Sequence, residues 1–387
     1  MENHAWLTRL KVRGSIGQVG KVNFPAYAAM SQYKPFTDWY STGSASKLVY
    51  MGNPDLKWEI TKTKDLGVEI GLFPGERLFF DFSYYNKHTH DLITTVTIPT
   101  SSGFKEYRDN MGEIINEGFE VDMRATLVRN QDMTLVLMGN LGHNKNTIGK
   151  ISASLDEYNK RVEELLNEQA KTNIANSEVR YEPIPRYVEG GSTTSIFAMK
   201  SAGIDPANGR EKYIRRDGTS TYDYNAVDEV IVGDELPDIQ GSFGVNFYYK
   251  GFSLYATFMY EVGAQKYNST LVNAVENADI SYSNVDKRVL YDRWIKPGDR
   301  TPLKDIKTRE YTTKPTSRFV QDDNWLSLSY FSIGYDLNQK LLKKIGFSQC
   351  NFQLSTSSPF RWSSIKRERG LSYPYARTYN FTMNLVF

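Results

Sequence analysis

The last nine residues, Tyr379-Asn380-Phe381-Thr382-Met383-Asn384-Leu385-Val386-Phe387, alternate apolar and polar side chains almost without a break. Tyr379, Phe381, Met383, Leu385 and Phe387 fall on one face. Thr378, Asn380, Thr382 and Asn384 fall on the other, with Val386 the apolar exception. A β-strand sends successive side chains to opposite faces, so this pattern describes a strand with one apolar and one wet side. From Tyr379 to Phe387 such a strand runs roughly 26 Å at ~3.3 Å per residue. Tilted by about 40° it stands ~20 Å tall, close to the ~25 Å apolar band of an outer-membrane barrel, with aromatic residues at both interfaces.

The same rhythm runs upstream. Phe119, Val121, Met123, Ala125 and Leu127 alternate with Glu120, Asp122, Arg124 and Thr126, and Phe252, Leu254, Ala256, Phe258 and Tyr260 repeat the theme. The pattern predicts about ten strands, near residues 5–18, 57–72, 78–93, 115–129, 133–147, 238–249, 252–267, 325–338, 346–358 and 377–387. Short connections, such as Phe73-Pro74-Gly75-Glu76, Asn130-Gln131-Asp132 and Lys250-Gly251, alternate with long ones around 19–56, 94–114, 148–237, 268–324 and 359–376. Long loops gathered at one end are the habit of outer-membrane barrels, which keep short turns on the periplasmic side. The predicted fold class is therefore all-β, with antiparallel transmembrane β-barrel strands and long extracellular loops. One of those loops is expected to carry a short helix. Ser154-Leu155-Asp156-Glu157 has capping-box spacing, and Leu155, Tyr158, Val162, Leu165 and Leu166 follow at helical intervals.

Composition narrows the function classes. Lys plus Arg number 47 against 45 Asp plus Glu, a net charge of +2, so no concentrated basic surface marks a nucleic-acid binder. No stretch approaches the roughly 18 consecutive apolar residues of a transmembrane helix. A single cysteine, Cys350, excludes an intrachain disulfide. Aromatic residues reach 13% with 26 tyrosines, a content suited to interfaces between apolar and wet surroundings. The N-terminal residues Met1-Glu2-Asn3-His4-Ala5-Trp6 lack the apolar core of a signal peptide, so the expectation is either a cytoplasmic chain or a true beginning upstream of this sequence.

At Asn53-Pro54-Asp55-Leu56-Lys57-Trp58-Glu59 the chain resembles the SusC/RagA family of TonB-linked outer-membrane transporters. The resemblance continues through Leu66-Gly67-Val68-Glu69, Tyr84-Tyr85-Asn86-Lys87, Thr89-His90-Asp91-Leu92-Ile93, and Met111-Gly112-Glu113-Ile114-Ile115-Asn116-Glu117-Gly118-Phe119-Glu120. Asn140-Leu141-Gly142-His143-Asn144-Lys145-Asn146 and Gly203-Ile204-Asp205-Pro206-Ala207-Asn208-Gly209 are similar to further family signatures. The alternating end, with Tyr379, Phe381, Met383, Leu385 and terminal Phe387, is similar to the signal read by barrel-insertion machinery. The family usually has a basic or polar residue where His88 and His90 sit. Ser357-Ser358-Pro359-Phe360 is a poorer match.

The resemblance implies that residues 1–387 are the C-terminal portion of a TonB-dependent receptor β-barrel. The signal peptide, TonB-contacting segment, plug and first half of a roughly 22-stranded barrel would lie outside this sequence. It also implies an outer-membrane importer of oligosaccharides or peptides, capped by a SusD-like surface lipoprotein and energised by TonB. No cofactor follows from it, and no enzyme active site. Two other readings fit parts of the pattern. One is a self-contained ten-stranded outer-membrane barrel with rim residues such as His88, Asp91 and His143 acting as a hydrolase. The other is a secreted sugar-binding β-sandwich.

Few residues suggest chemistry beyond this. His88 and His90 share a strand face, but no third ligand follows at metal-site spacing, so they and His143 read as solvated rim residues and no metal is expected. The acidic residues Asp223, Asp228, Glu229, Asp322 and Asp323 read as solvated loop charge. Trp39, Tyr40, Trp294 and Trp362 fall in expected extracellular loops, where they would stack on sugar rings or pack the loops together.

Overall fold

The computed structural model describes residues 6–22, 27, 29–36, 45–97, 106–110, 112–171, 182–278, 285–305, 313–366 and 377–387. Among these, ten strands form one antiparallel sheet in which chain neighbours are also sheet neighbours. They are β1 (Leu7–Lys21), β2 (Glu59–Leu72), β3 (Leu78–His90), β4 (Gly112–Arg129), β5 (Met133–Ile151), β6 (Ile239–Tyr249), β7 (Phe252–Val262), β8 (Trp325–Asp336), β9 (Gln349–Ser363) and β10 (Tyr379–Val386). Each answers to one of the ten strands expected from alternation. The single sheet leaves no place for a two-sheet sandwich. It is also open: β1 pairs only with β2 and β10 only with β9, so the ten strands do not close on each other.

Register keeps the alternation in phase across every strand. One row of directly opposed residues reads Val12, Val68, Phe82, Val121, Leu141, Gly241, Tyr260, Leu326 and Trp362. The adjacent row, on the other face, reads Lys11, Glu69, Asp81, Asp122, Asn140, Ser242, Met259, Ser327 and Arg361. A slip of one residue anywhere would send a strand's apolar set to the charged side. The apolar face stays exposed, with Val12, Ile16 and Phe381 each more than 60% accessible. A sheet that leaves such a face uncovered is built for lipid or a partner.

Opposite that face, Arg13 lies across the sheet. Its register partner is Gly67, where a Cβ would stand 2.4 Å from the guanidinium. The bare glycine lets Arg13 cross β2 to reach Asp81 on β3 at 2.9 Å, while it also pairs with Glu69 at 3.1 Å.

The short ends are tied locally. Lys250 and Gly251 (φ +45° and +90°) form a two-residue hairpin turn with both residues left-handed. The Asn130 side chain accepts the Met133 and Asp132 amides at 2.7 and 3.0 Å. The connection from β8 to β9 holds a helix that alternation does not reveal. Asn338 caps its start by accepting the Lys340 amide, and left-handed Gly346 ends it, so residues Gln339–Ile345 are helical.

At the other end the loops carry their own structure. The expected helix, α1, runs Ala153–Lys171 and is longer than foreseen. Its cap is Ser152 rather than Ser154: the Ser152 hydroxyl accepts the Leu155 amide at 3.3 Å. Leu155, Val162 and Leu166 are buried, whereas Leu165 is exposed. Small hairpins fill the remaining described loops, Gln32–Phe36 with Ala45–Tyr50 and Ile93–Thr97 with Glu106–Asn110 among them. The described hydrophobic clusters lie in these loops, for example Ile196, Tyr267, Val272 and Phe319.

This arrangement gives a topology test in intact cells producing the full-length protein. A membrane-impermeant thiol reagent is expected to label Asp217→Cys, in an exposed turn of the long β5–β6 loop, and to miss Gln131→Cys in a short turn. Labelling of Gln131→Cys alone would reverse the orientation.

Candidate functional site

The motif Asn53 to Glu59 builds a seam where the first two long loops meet the sheet. The Asn53 amide donates to the Arg108 carbonyl at 3.0 Å and to the Asp109 carboxylate at 3.1 Å, and its own oxygen accepts the Asp55 amide at 3.0 Å. Pro54 and Asp55 occupy the middle of the turn closed by Leu56 N–H on Asn53 C=O at 3.2 Å. Glu59 is buried and accepts the Ile93 amide at 3.0 Å. Asn110 joins the parts by donating to the carbonyls of Lys57 and Asp91 and accepting the Lys57 amide. Asp91 adopts φ +54° to make that turn. Trp58 is exposed. The other motif residues thus satisfy buried or turning backbone, which is a positioning role.

The Gly203 to Gly209 motif is a second such unit. Asp205 accepts the Ala207 amide at 2.9 Å and the Tyr222 hydroxyl, while its backbone carbonyl accepts the Gly209 amide at 2.8 Å. The Tyr222 hydroxyl holds the Asp205 carboxyl below its usual range. Ile204 is buried. The Pro206 carbonyl accepts the Trp294 indole N–H at 2.9 Å. Gly209 has φ +72°, and a Cβ there would stand 2.5 Å from the Trp294 ring. Trp294 is therefore a buried packing residue against this motif, with its ring covered.

Trp362 was expected in a loop. It lies instead in β9, because that strand continues to Ser363, past the bulge at Ser358 (φ +47°). It is 66% exposed, stands on the apolar face, and packs beside Phe360 at 5.5 Å between ring centres, as a girdle aromatic would. Trp39 and Tyr40 lie outside the described residues.

Buried charge holds the loops together: of the acids expected in solvent, Glu229 and Asp323 are buried, whereas Asp223 and Asp322 are exposed. Arg318 pairs with Glu211 at 2.9 Å and Glu276 at 2.7 Å, all three almost fully covered. Burial would raise the Glu211 carboxyl, but Arg318 and the hydroxyls of Thr316 and Ser201 hold it below its ordinary value. Lys304 nearby is pushed by burial down to about 8. Glu229, expected in solvent, is buried against Arg186 and the Tyr224 hydroxyl. Sequence spacing could not show these ion pairs, since their members lie 42 to 107 residues apart.

The residues of the suggested rim hydrolase do not converge as a triad. His143 contacts the Asp238 carbonyl at 2.6 Å, Asp91 turns the chain, and His88 stands 3.0 Å from Glu113. Glu113 arrives through strand register, a signal that no local spacing carries. At the chain's end Tyr379, Phe381, Met383 and Leu385 are exposed on one face of β10, and Phe387 packs on Phe347 at 4.9 Å.

The family model for the β-barrel of TonB-dependent receptor-like proteins matches residues 5–188. The chain is 27% identical over 411 residues to TonB-dependent receptor P3 of Formosa agariphila, covering 98% of this chain and 40% of the relative. It is 28% identical over 225 residues to TonB-dependent receptor SusC of Bacteroides thetaiotaomicron, covering 54% of this chain and 22% of the relative. Among solved structures, the RagAB peptide importer in its closed-closed state superposes with a TM-score of 0.78 at 21% identity, over 99% of this chain and 41% of that one. The last likeness speaks for the fold. The chain thus spans about 40% of the length of the first of these relatives.

Gly209→Ala is expected to cost the loop module about 2–4 kcal/mol, from left-handed strain plus a displaced indole ring. Gly203→Ala, at φ +91° with open space around it, is expected to cost only about 1–2 kcal/mol. Hydrogen exchange at loop amides in the full-length protein measures both, and equal effects would show that contact with Trp294 contributes nothing.

Proposed function

We propose, from the premise that this chain is a SusC/RagA-like segment of a TonB-dependent receptor β-barrel in the outer membrane, that it forms the C-terminal barrel wall and extracellular mouth of an active importer. The observation that carries this reading is the in-phase sheet itself. It has one continuous apolar face for lipid, one charged face for a wet lumen, and loop modules stiffened by buried ion pairs at a single end. The lumen face offers both charges and hydrogen-bonding groups, including Asp122, Asn140, Glu261 and Arg361, the last stacked 3.8 Å over the Trp325 ring. Such a surface suits a hydrated, polar cargo: an oligosaccharide or a peptide. The RagAB relatives are described as peptide importers and SusC as a TonB-dependent receptor, which supports import and leaves both cargo classes in play.

In this reading TonB supplies energy through a plug contributed by another part of the receptor, and a SusD-like lipoprotein seats on the loop modules. Trp362 meets the lipid interface and Trp294 packs the mouth. Trp39 and Tyr40 remain as the proposed sugar-stacking pair. The two free edges, β1 and β10, pair with the rest of the barrel, because each unpaired backbone group in hydrocarbon costs several kcal/mol.

Two experiments test the proposal. Expressed alone behind an export signal, the chain is expected to give no TonB-dependent uptake of oligosaccharides or peptides, whereas the full-length receptor takes up one of them. Uptake by this chain alone would overturn the assignment of a partial wall. In the full-length receptor, Phe387→Asp places a charge beside Phe347 at the membrane interface and at the proposed insertion signal. Less protein in the outer membrane and more periplasmic degradation is the expected result, read by fractionation. Unchanged membrane levels would remove Phe387 from the signal.

A further inference from the structure

His88 and His90 lie two residues apart on one face of β3, and Glu113 is the register partner of His90 on β4. The imidazole ring centres are 4.0 Å apart. His88 Nε2 stands 3.0 Å from Glu113 Oε2, and His90 Nδ1 stands 3.5 Å from Glu113 Oε1. One ligand atom from each of the three lies within 4.8 Å of the others. Around a tetrahedral Zn²⁺ with bonds of ~2.0–2.1 Å, neighbouring donor atoms stand about 3.3–3.4 Å apart. Small side-chain rotations therefore seat an ion between them. The three side chains are 27 to 35% exposed, open to solvent yet carried on paired strands.

We propose that His88, His90 and Glu113 bind a divalent first-row transition metal, with Zn²⁺ as the foremost occupant, and that the ion clamps the loop-side ends of β3 and β4. Two imidazoles and one carboxylate suit Zn²⁺, Ni²⁺ or Cu²⁺, while Mg²⁺ and Ca²⁺ prefer oxygen donors. Three protein donors leave a fourth position for water or an outside ligand. The site shares its sheet face with Phe80, Phe82 and Tyr84 and lies past them at the loop end of the strand.

Its place gives the clamp a purpose. The chain leaves β3 one residue after His90, at the left-handed turn of Asp91, and returns just before Glu113. The Asp91 carbonyl is held there by Asn110 at 2.6 Å. An ion at the site fixes the base of that loop directly beneath the seam of Asn53, Glu59 and Asn110. Without metal, the contact between His88 and Glu113 holds the same groups together, and this is the simpler use of the cluster. Lys62 and Lys150 stand at the register positions beside His88 and Glu113. Their charges weaken the grip on a cation without disturbing the donor geometry.

The test uses the full-length receptor, purified in detergent with its affinity tag removed, titrated with Zn²⁺ and separately with Co²⁺. The expected result is one ion bound at this site, visible Co²⁺ ligand-field bands that Zn²⁺ abolishes, and no competition from excess Mg²⁺. His90→Asn and Glu113→Gln are each expected to weaken binding by at least the roughly 10–100-fold that even outer-shell partners cost. The folded barrel is checked for each variant by heat-modifiable electrophoretic mobility, and His88→Asn replaces either one that fails. Absence of stoichiometric binding, or binding unchanged in two folded variants, overturns the proposal and leaves the cluster a hydrogen-bonded histidine–glutamate pair. Such a failure would leave the transport reading untouched, since that reading rests on the sheet.

Discussion

In hydrocarbon a backbone N–H or C=O has no water to bond, so every strand that enters the membrane needs a neighbour on each side. That constraint dictates the rest of this chain. It demands long strands with uninterrupted ladders, and β1 to β9 supply one another in strict chain order. It also demands that alternation be shared, since neighbouring strands in register place their odd and even residues on common faces. The row from Val12 to Trp362 and the row from Lys11 to Arg361 are the outcome. Bulges at Thr126–Val128, Leu328–Tyr330 and Ser358 are absorbed without breaking that phase.

The sheet and its loops are stabilised by different physics. The sheet buries little apolar surface within itself, and its outer face awaits lipid. The loops form small cores of their own and add buried ion networks. Arg318 faces two carboxylates, with the buried cations Lys304 and Arg293 close by. Removing one partner of a buried pair strands a charge and costs about 3–5 kcal/mol, whereas the intact pair adds little stability over an apolar replacement. Such networks therefore specify how loop segments meet more than they strengthen them. Glu211, Glu276 and Arg318 come from three separate stretches of loop, which the network joins.

How much could be read in advance follows from the range of each signal. Period-two alternation is local, so the ten strands and the side of Tyr379, Phe381, Met383 and Leu385 were legible. The amphipathic run of α1 was legible too, although its cap falls at Ser152, whose hydroxyl accepts the Leu155 amide. The helix Gln339–Ile345 leaves little trace in the sequence because it is only seven residues long, with Asn338 and Gly346 marking its ends. Pairings made by register or by loop docking left no local trace. Glu113 beside His90, Glu229 beneath Arg186 and Trp294 over Gly209 all belong to that class. Trp362 was misplaced for a related reason: Pro359 reads as a strand breaker, yet at a bulge a proline is tolerated.

The motif residues of this chain share one kind of work. Asn53, Glu59, Asp91 and Asn110 bond backbone groups at the sheet's upper rim, and Asp205, Pro206 and Gly209 do the same within a loop module. None of these groups is free to select a cargo, because each is already committed to holding a turn. Their common effect is to fix where loops leave the wall. Under the proposed import reading, selection falls to side chains on the lumen face and on the loop tips. Those positions are set by a rigid frame but not constrained by it in identity. In that reading one scaffold can present different surfaces to different polar cargoes, and the motif residues report the frame rather than the cargo.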